Sequence, residues 1–316
     1  MTGAGSKVAG RGPGSGLAAT VGSVVLPNPV MTASGTSGHG AELAAYFDLS
    51  LLGALVVKSL SAAPWQGNPA PRLAPLPSGM LNSVGLHNPG VDAWLRDDFP
   101  RLQESGARVV VSVWGRSGED FGEVGRRLMA GLAGRPRTRG RALGNVVAVE
   151  ANISCPNIED RQRMFAHSPR ATAAAISALR AGLDGSGLPI WAKLSPNVTD
   201  LGPIAEAAVA NGAEALTLVN TLMGLAVDPL TGRALLGAGG GGLSGPALHP
   251  VAVRAVQECR KAFPATPIVG AGGVMTGRDA AELLRAGAQA VQVGTATFVD
   301  PRAPLRVLRE LEAVWP

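Results

Sequence analysis

The chain has 316 residues, 46% hydrophobic and only 16% charged, which supplies core for one large α/β domain or two small ones and excludes a disordered chain. Its net charge of +5 is concentrated in a cluster (Arg126, Arg127, Arg135, Arg137, Arg139, Arg141) with no aromatics between the arginines, so it reads as a solvated loop rather than a nucleic-acid surface. Two cysteines, Cys155 and Cys259, are too few for a disulfide scaffold, a zinc site or an iron–sulfur cluster on this chain alone, and no apolar run is long enough to span a bilayer.

Residues 1–20 are rich in Gly, Ser and Ala and lack the apolar stretch of a secretory signal, so a flexible tail is expected there. One domain should occupy residues 21–316. No basic amphipathic helix precedes it as a membrane anchor, and the cysteine usage suits a reducing, cytoplasmic setting.

Along the domain, short apolar runs alternate with helix-patterned segments. The runs at 29–34, 55–59, 108–113, 145–154, 189–194, 215–219, 267–270 and 290–294 have the continuous apolar character of parallel strands buried on both faces. A helix is expected after each. Ser117 with Asp120, and Thr276 with Asp279, have capping-box spacing with Asp in place of Glu or Gln. Ser168-Pro169 and Asp300-Pro301 place a capping side chain before a first-turn proline, and Gly287 is a natural stop for the helix before it. Eight β/α units in a chain of this size predict a single-domain α/β fold, a (β/α)8 TIM barrel. An open doubly wound sheet is second choice, since no G-x-G-x-x-G follows the first strand.

Two connections, 60–88 and 221–244, are longer than a barrel needs and follow strands, at the C-terminal face where barrel enzymes build their sites. Strand ends and the loops after them carry Ser34, Lys58, Ser59, Asn82, Asn152, Ser154, Cys155, Asn157, Lys193, Asn220 and Thr221. Singly each has a dull role: a snorkelling lysine, a turn asparagine, a small buried cysteine. Together they converge on one barrel mouth, where buried lysines imply an anionic ligand. Glycines after both of the last two strands (Gly270 to Gly273, and Gly294 before Thr295) predict a phosphate site there.

Longer motifs then become recognisable. Asn28-Pro-Val-Met-Thr-Ala-Ser-Gly-Thr36, Val56-Val-Lys-Ser59, Asn82-Ser-Val-Gly-Leu-His-Asn-Pro-Gly90 and Asn152-Ile-Ser-Cys-Pro-Asn157 resemble dihydroorotate dehydrogenases of the soluble class, class 1. So do Lys193-Leu-Ser-Pro-Asn197, Asn220-Thr-Leu222, Gly242-Leu-Ser-Gly-Pro246 and Val293-Gly-Thr295. The resemblance runs in order from about residue 24 to the C-terminus and is closest to the 1B branch, whose catalytic subunit works with an iron–sulfur and FAD electron-transfer subunit. It implies oxidation of dihydroorotate to orotate in de novo pyrimidine synthesis, FMN at the C-terminal face of the barrel, a homodimer, and no metal, membrane or nucleic acid.

The resemblance also implies roles. The FMN phosphate would lie at Gly245, Gly272, Gly273, Gly294 and Thr295, with Lys193 and Lys58 facing the pyrimidine edge of the flavin. Ser34, Ser59, Ser112, Asn152 and Val219 would complete its contacts. Substrate would be held by Lys58, by Asn82, Ser83, Val84, Gly85 and Leu86, and by Asn152, Asn157, Asn220 and Thr221. Cys155, assisted by Lys58, would be the catalytic pair: the thiolate takes the C5 proton while flavin N5 accepts the C6 hydride. An ordinary thiol titrates near pH ~8.5, so activity is expected to rise towards alkaline pH.

Some positions depart from the family pattern. Ser112 stands where an asparagine is usual, Trp114 replaces a small residue, and Ser37 and His39 sit where aromatics are frequent. The segment after Asn157, read as a lid, is richer in charge than expected. A sister flavin barrel acting on another pyrimidine, by uracil reduction or on a tRNA uridine, is the alternative. The arginine cluster offers it slight support but follows the third helix, on the far face, while Asn157 favours orotate. A binding barrel without chemistry is disfavoured by the intact Lys58, Asn152, Cys155 and Lys193 set. The final electron acceptor is not legible in the sequence.

Overall fold

Each apolar run predicted as a strand forms one, and all eight pair in parallel. The computed structural model of the chain describes residues 17–133, 143–154 and 164–315; residues 1–16, the arginines from Arg135 to Arg141, Cys155 and Asn157 lie outside the described residues. The barrel strands are β3 (Val30–Thr32), β4 (Leu55–Val56), β7 (Val109–Val113), β8 (Val146–Asn152), β9 (Ile190–Leu194), β10 (Ala213–Leu218), β13 (Ile268–Ala271) and β14 (Ala290–Val293), in the order β3-β14-β13-β10-β9-β8-β7-β4. The Gly53 amide donates to the Val30 carbonyl (2.8 Å) and the Thr32 amide to the Ala54 carbonyl (3.3 Å), which joins the end strands and closes the barrel. Every residue of β7 and of β9 is buried, because one face packs inward and the other under helices.

Helices α1 (Val91–Asp97) and α2 (Phe99–Glu104) follow β4, and α3 (Gly118–Leu132), α4 (Pro169–Gly182) and α5 (Gly202–Ala210) follow β7, β8 and β9. Helices α6 (His249–Ala262) and α7 (Gly277–Ala286) follow β10 and β13, and α8 (Ala296–Val299) and α9 (Ala303–Val314) end the fold. The capping signals act as expected: Ser117 and Asp120, and Thr276 and Asp279, exchange both bonds of a capping box, Ser168 accepts from the Ala171 amide, and α7 stops at Gly287. Two expectations are corrected. No α-helix follows β3, only single turns at Glu42–Ala45 and Leu49–Leu51, because the chain leaves the strand through Gly35 and Gly38 in left-handed conformations. Asp300 accepts from the Arg302 amide, so the last helix begins only at Ala303. Arg126 and Arg127 pair with Glu123 on the exposed face of α3, with Arg127 also reaching Asp92.

Short strands cover both ends. A hairpin of β1 (Ala19–Val21) and β2 (Val24–Leu26) closes the N-terminal end, and Val21, Val24 and Leu26 pack on Met31, Val56, Val110 and Trp191 inside the barrel. Its turn is tied down by the Glu214 carboxylate, which accepts from the Ser23 amide (2.6 Å) and hydroxyl (2.9 Å). At the other end, each long connection contributes two strands. These are β5 (Leu73–Leu76) and β6 (Gly79–Asn82), and β11 (Leu222–Gly224) and β12 (Gly241–Ser244), which form an antiparallel sheet in the order β11-β12-β6-β5.

Candidate active site

Side chains on one face of a strand recur every second residue, so one step of two along the barrel interior moves up one layer. Beside the hairpin the layer is apolar: Val110, Ala148, Trp191, Ala215 and Ala290. Two residues further along the same strands it is polar: Ser112, Glu150, Lys193, Thr217 and Gln292, all buried. Above it lies a cavity of about 440 Å3, walled by strand ends, the four-stranded cap and the glycine loops after β13 and β14. That size suits a small-molecule ligand.

At the floor, the Lys193 ammonium donates to Gln292 Oε1 (2.9 Å), and the Gln292 amide donates to Glu150 Oε2 (2.6 Å). Thr217 also donates to Glu150 Oε2 (3.2 Å), and Lys193 Nζ lies 3.6 Å from Glu150 Oε1. Next to it is a chain of short side chains: Ser34 and Ser59 hydroxyls meet at 3.2 Å, Ser59 and Ser112 at 2.9 Å, and the Asn152 amide donates to Ser59 (3.1 Å). Asn152 Oδ1 accepts from the Ser154 amide and from Asn220 Nδ2, each at 3.2 Å. Asn197, from the loop after β9, donates to the Thr221 carbonyl (2.9 Å) and accepts from the Met223 amide (2.7 Å), which ties β11 to the site.

Lys58, at the end of β4, differs from Lys193. No described residue forms an ion pair or hydrogen bond with its ammonium, and burial, followed by the Arg72 charge, pushes its pKa below the ordinary lysine value. A half-buried cation with no partner among the described residues is an anion site in waiting. Nearby His39 is lowered to about 4, first by burial and then by the charge of Lys58. Cys259, by contrast, lies on the buried face of α6 and is pushed up to about 11, mainly by desolvation, the behaviour of an inert core thiol.

Two backbone features shape the ends of the cavity. In the loop after β6, Gly85 and Leu86 are both left-handed (φ +67° and +62°), and a Cβ on Gly85 would lie 2.5 Å from the Asn68 side chain. Asn68 donates to Ser83 Oγ (2.7 Å), its amide donates to the Val84 carbonyl (3.2 Å), and its own carbonyl accepts from Arg72 Nε (2.6 Å). At the opposite end, Gly273 is left-handed, and a Cβ there would meet His249 at 2.6 Å and the Gly245 carbonyl at 2.9 Å. Gly245, Gly272, Gly273 and Gly294 leave backbone open at that end, as an anion cradle requires, beside the Thr295 hydroxyl, which donates to Ser244 Oγ (2.8 Å). Lysines at the floor and a glycine-lined cradle at the Gly273 end fit a planar ring carrying a phosphate.

The cavity brings together Ser34, Lys58, Ser59, the loop from Asn82 to Leu86, Asn152, Lys193, Val219, Asn220, Thr221, Gly245, Gly272, Gly273, Gly294 and Thr295. Ser112 does not line it and reaches the site only through Ser59. Sequence reasoning passed over Asn68 and Gln292, which line the cavity, and Arg72 and Glu150, which hold them from behind. A glutamate and a glutamine inside otherwise apolar strands were the available signals for two of them. Among the described residues no group of three or more His, Cys, Asp or Glu is placed to hold a metal, and no helix is long and apolar enough to cross a membrane.

Comparison with known proteins agrees with this geometry. The family model for dihydroorotate dehydrogenase matches residues 16–315. The catalytic subunit of dihydroorotate dehydrogenase B (NAD(+)) from Geobacter sp. (strain M21) is 45% identical over 94% of this chain and 92% of its own. The same subunit from Desulforudis audaxviator is 46% identical over 93% and 91%. A putative dihydroorotate dehydrogenase A (fumarate) from Solibacter usitatus is 45% identical over 93% and 92%. The crystal structure of the Eimeria tenella dihydroorotate dehydrogenase in complex with ferulenol shares the fold, with a TM-score of 0.73 at 22% identity over 96% of this chain and 85% of that one. The chain therefore belongs to the dihydroorotate dehydrogenase family, flavin-dependent oxidoreductases that act on a CH–CH donor and oxidise dihydroorotate in pyrimidine biosynthesis.

Proposed function

We propose that the flavin is FMN, bound across the barrel mouth of a cytoplasmic class 1 dihydroorotate dehydrogenase, and that Cys155 is its catalytic base. The observation that carries this reading is the polarity of one cavity, with Lys58 and Lys193 at its floor and the Gly273 cradle at its far end. The phosphate is assigned to Gly245, Gly272, Gly273, Gly294 and Thr295. Ser34, Lys58, Ser59, Asn152, Lys193 and Val219 run beside the ring, and Ser112 supports Ser59 from behind.

FMN, when bound, supplies a two-electron acceptor for the substrate's C6. The rest falls to the chain. Lys58, partnerless among the described residues, neutralises the substrate carboxylate, and the backbone amides of Val84, Gly85 and Leu86 supply donors to it, the Ser83 amide being held by the Arg72 carbonyl (2.8 Å). Asn152, Asn157, Asn220 and Thr221 offer the donors and acceptors that the pyrimidine ring presents. Cys155 stands three residues beyond Asn152 and removes the C5 proton as a thiolate. Its activity rises with pH as the thiol ionises.

The relatives named as catalytic subunits favour an assembly in which electrons leave through a second, iron–sulfur and FAD-bearing subunit to NAD. With two cysteines, this chain offers fewer ligands than the four a cluster takes, so the cluster would sit on that partner. The same reading makes the catalytic chain a homodimer, checked by sedimentation of the isolated chain. The test of function is anaerobic bleaching of the bound flavin by dihydroorotate, in wild type and in Cys155→Ala. A colourless protein that takes up no FMN, or a variant that bleaches at the wild-type rate, would overturn the cofactor or the base respectively.

A further inference from the structure

The two lysines of the cavity are not equivalent. Lys58 has no counter-charge among the described residues, whereas Lys193 faces the Glu150 carboxylate at 3.6 Å and is joined to it through Gln292. Glu150 is wholly inaccessible and stands directly above the apolar layer of Ala148 and Trp191. Gln292 and Thr217 both donate to its Oε2, and its Oε1 has no hydrogen-bond partner among the described residues, only the ammonium opposite. A carboxylate in such a place is costly unless it balances a charge. Lys193 and Gln292 line the cavity, while Glu150 does not. Its influence on a ligand must therefore pass through them.

We propose that Glu150 is a positioning residue that fixes Lys193 through Gln292 and cancels its charge, so that among the described lining residues Lys58 alone offers net positive charge, and that this pairing sets the reduction potential of the bound flavin. The inference rests on the FMN reading above. The sign follows from electrostatics. Reduced flavin is anionic at its pyrimidine end, and any positive charge left uncancelled there favours the reduced form. Glu150→Gln keeps the size and the Oε2 hydrogen-bonding oxygen but frees the Lys193 charge. Moving the carboxylate to the cavity wall, by Glu150→Gln with Gln292→Glu, keeps the total charge and brings the negative end closer to the ring.

The experiment is the midpoint potential of the FMN-loaded protein at pH 6.5, measured by equilibrium with a reference dye during slow enzymatic reduction. Glu150→Gln is expected to shift the equilibrium at least about tenfold towards reduced flavin, about 30 mV upward for a two-electron couple. The double variant should fall below wild type. A purely structural role for Glu150 would not move the potential in opposite directions. Wild-type potential in FMN-loaded Glu150→Gln overturns the proposal, as does wild-type potential in the double variant should the single one fail to fold. A wild-type chain that takes up no FMN sinks the flavin reading and this inference with it.

Discussion

The two ends of the barrel are built on the same eight strands and differ by a step of two residues. At the hairpin end, Val110, Ala148, Trp191, Ala215 and Ala290 form a dry layer. At the mouth, their neighbours two positions on are Ser112, Glu150, Lys193, Thr217 and Gln292. Strand geometry is indifferent to this change, since the ladder hydrogen bonds and outward faces are the same at both ends. Stability and chemistry can therefore be divided between the ends without any change of fold.

The sharpest way to break that division is at the mouth. Cys155→Ala should lower kcat by about 10²- to 10⁴-fold, the usual contribution of a general base. FMN content and thermal midpoint should stay at wild-type values. A loss of stability of the same weight would mean that the mouth also holds the fold together. The opposite experiment is Trp191→Ala, at the hairpin end. Trp191 is fully buried, and its truncation should cost roughly 3–5 kcal/mol in urea unfolding. The molecules that remain folded should keep their kcat. Lost turnover at unchanged stability would show that the dry layer tunes the site.

The same contrast explains what could be read in the sequence. Barrel strands are legible because burial on both faces writes them as unbroken apolar runs, and the helix caps because Ser117, Ser168 and Thr276 act locally. The closures at either end were hidden. The hairpin has strands of only three residues, within and just after a stretch that composition assigns to a tail. The cap over the mouth is written in poor strand formers, Pro75, Gly79, Gly241 and Gly242, and its two hairpins are joined by partners 160 residues apart, such as Asn82 with Gly242. Glu150 and Gln292 were masked by the apolar strands that carry them. Cys155 and Asn157 were legible as motif residues, and their placement is left to the experiments above.

A smaller effect should separate binding from chemistry within the mouth itself. Asn68→Ala removes the bond to Ser83 and the packing against Gly85, and so loosens the amides assigned to the substrate carboxylate. Losing one hydrogen bond of this kind is worth about 0.5–1.5 kcal/mol. The Michaelis constant for dihydroorotate should rise up to about tenfold. The kcat should hold, because no proton or hydride passes through Asn68. Equal losses in kcat and kcat/KM would instead place Asn68 in the transition state.

The least of these effects is a pH dependence that reads the charge of the mouth through the stability of the whole molecule. His39 is held at about 4, below the ordinary histidine value, because its imidazole is desolvated and faces Lys58 and His87, with Glu42 pulling the other way. Its Nε2 is buried without a hydrogen-bond partner among the described residues, so a proton there would have nowhere to donate. The folded chain thus excludes a proton that the unfolded chain accepts. The stability linked to His39 is complete above the ordinary histidine pKa and is lost as pH falls through it towards about 4. His39→Gln removes the titration. Urea unfolding at pH 7 and at pH 5 should show a smaller difference in the variant than in wild type. Because Lys58 is part of the push, Lys58→Met should move the result in the same direction, which an isolated buried histidine would not do.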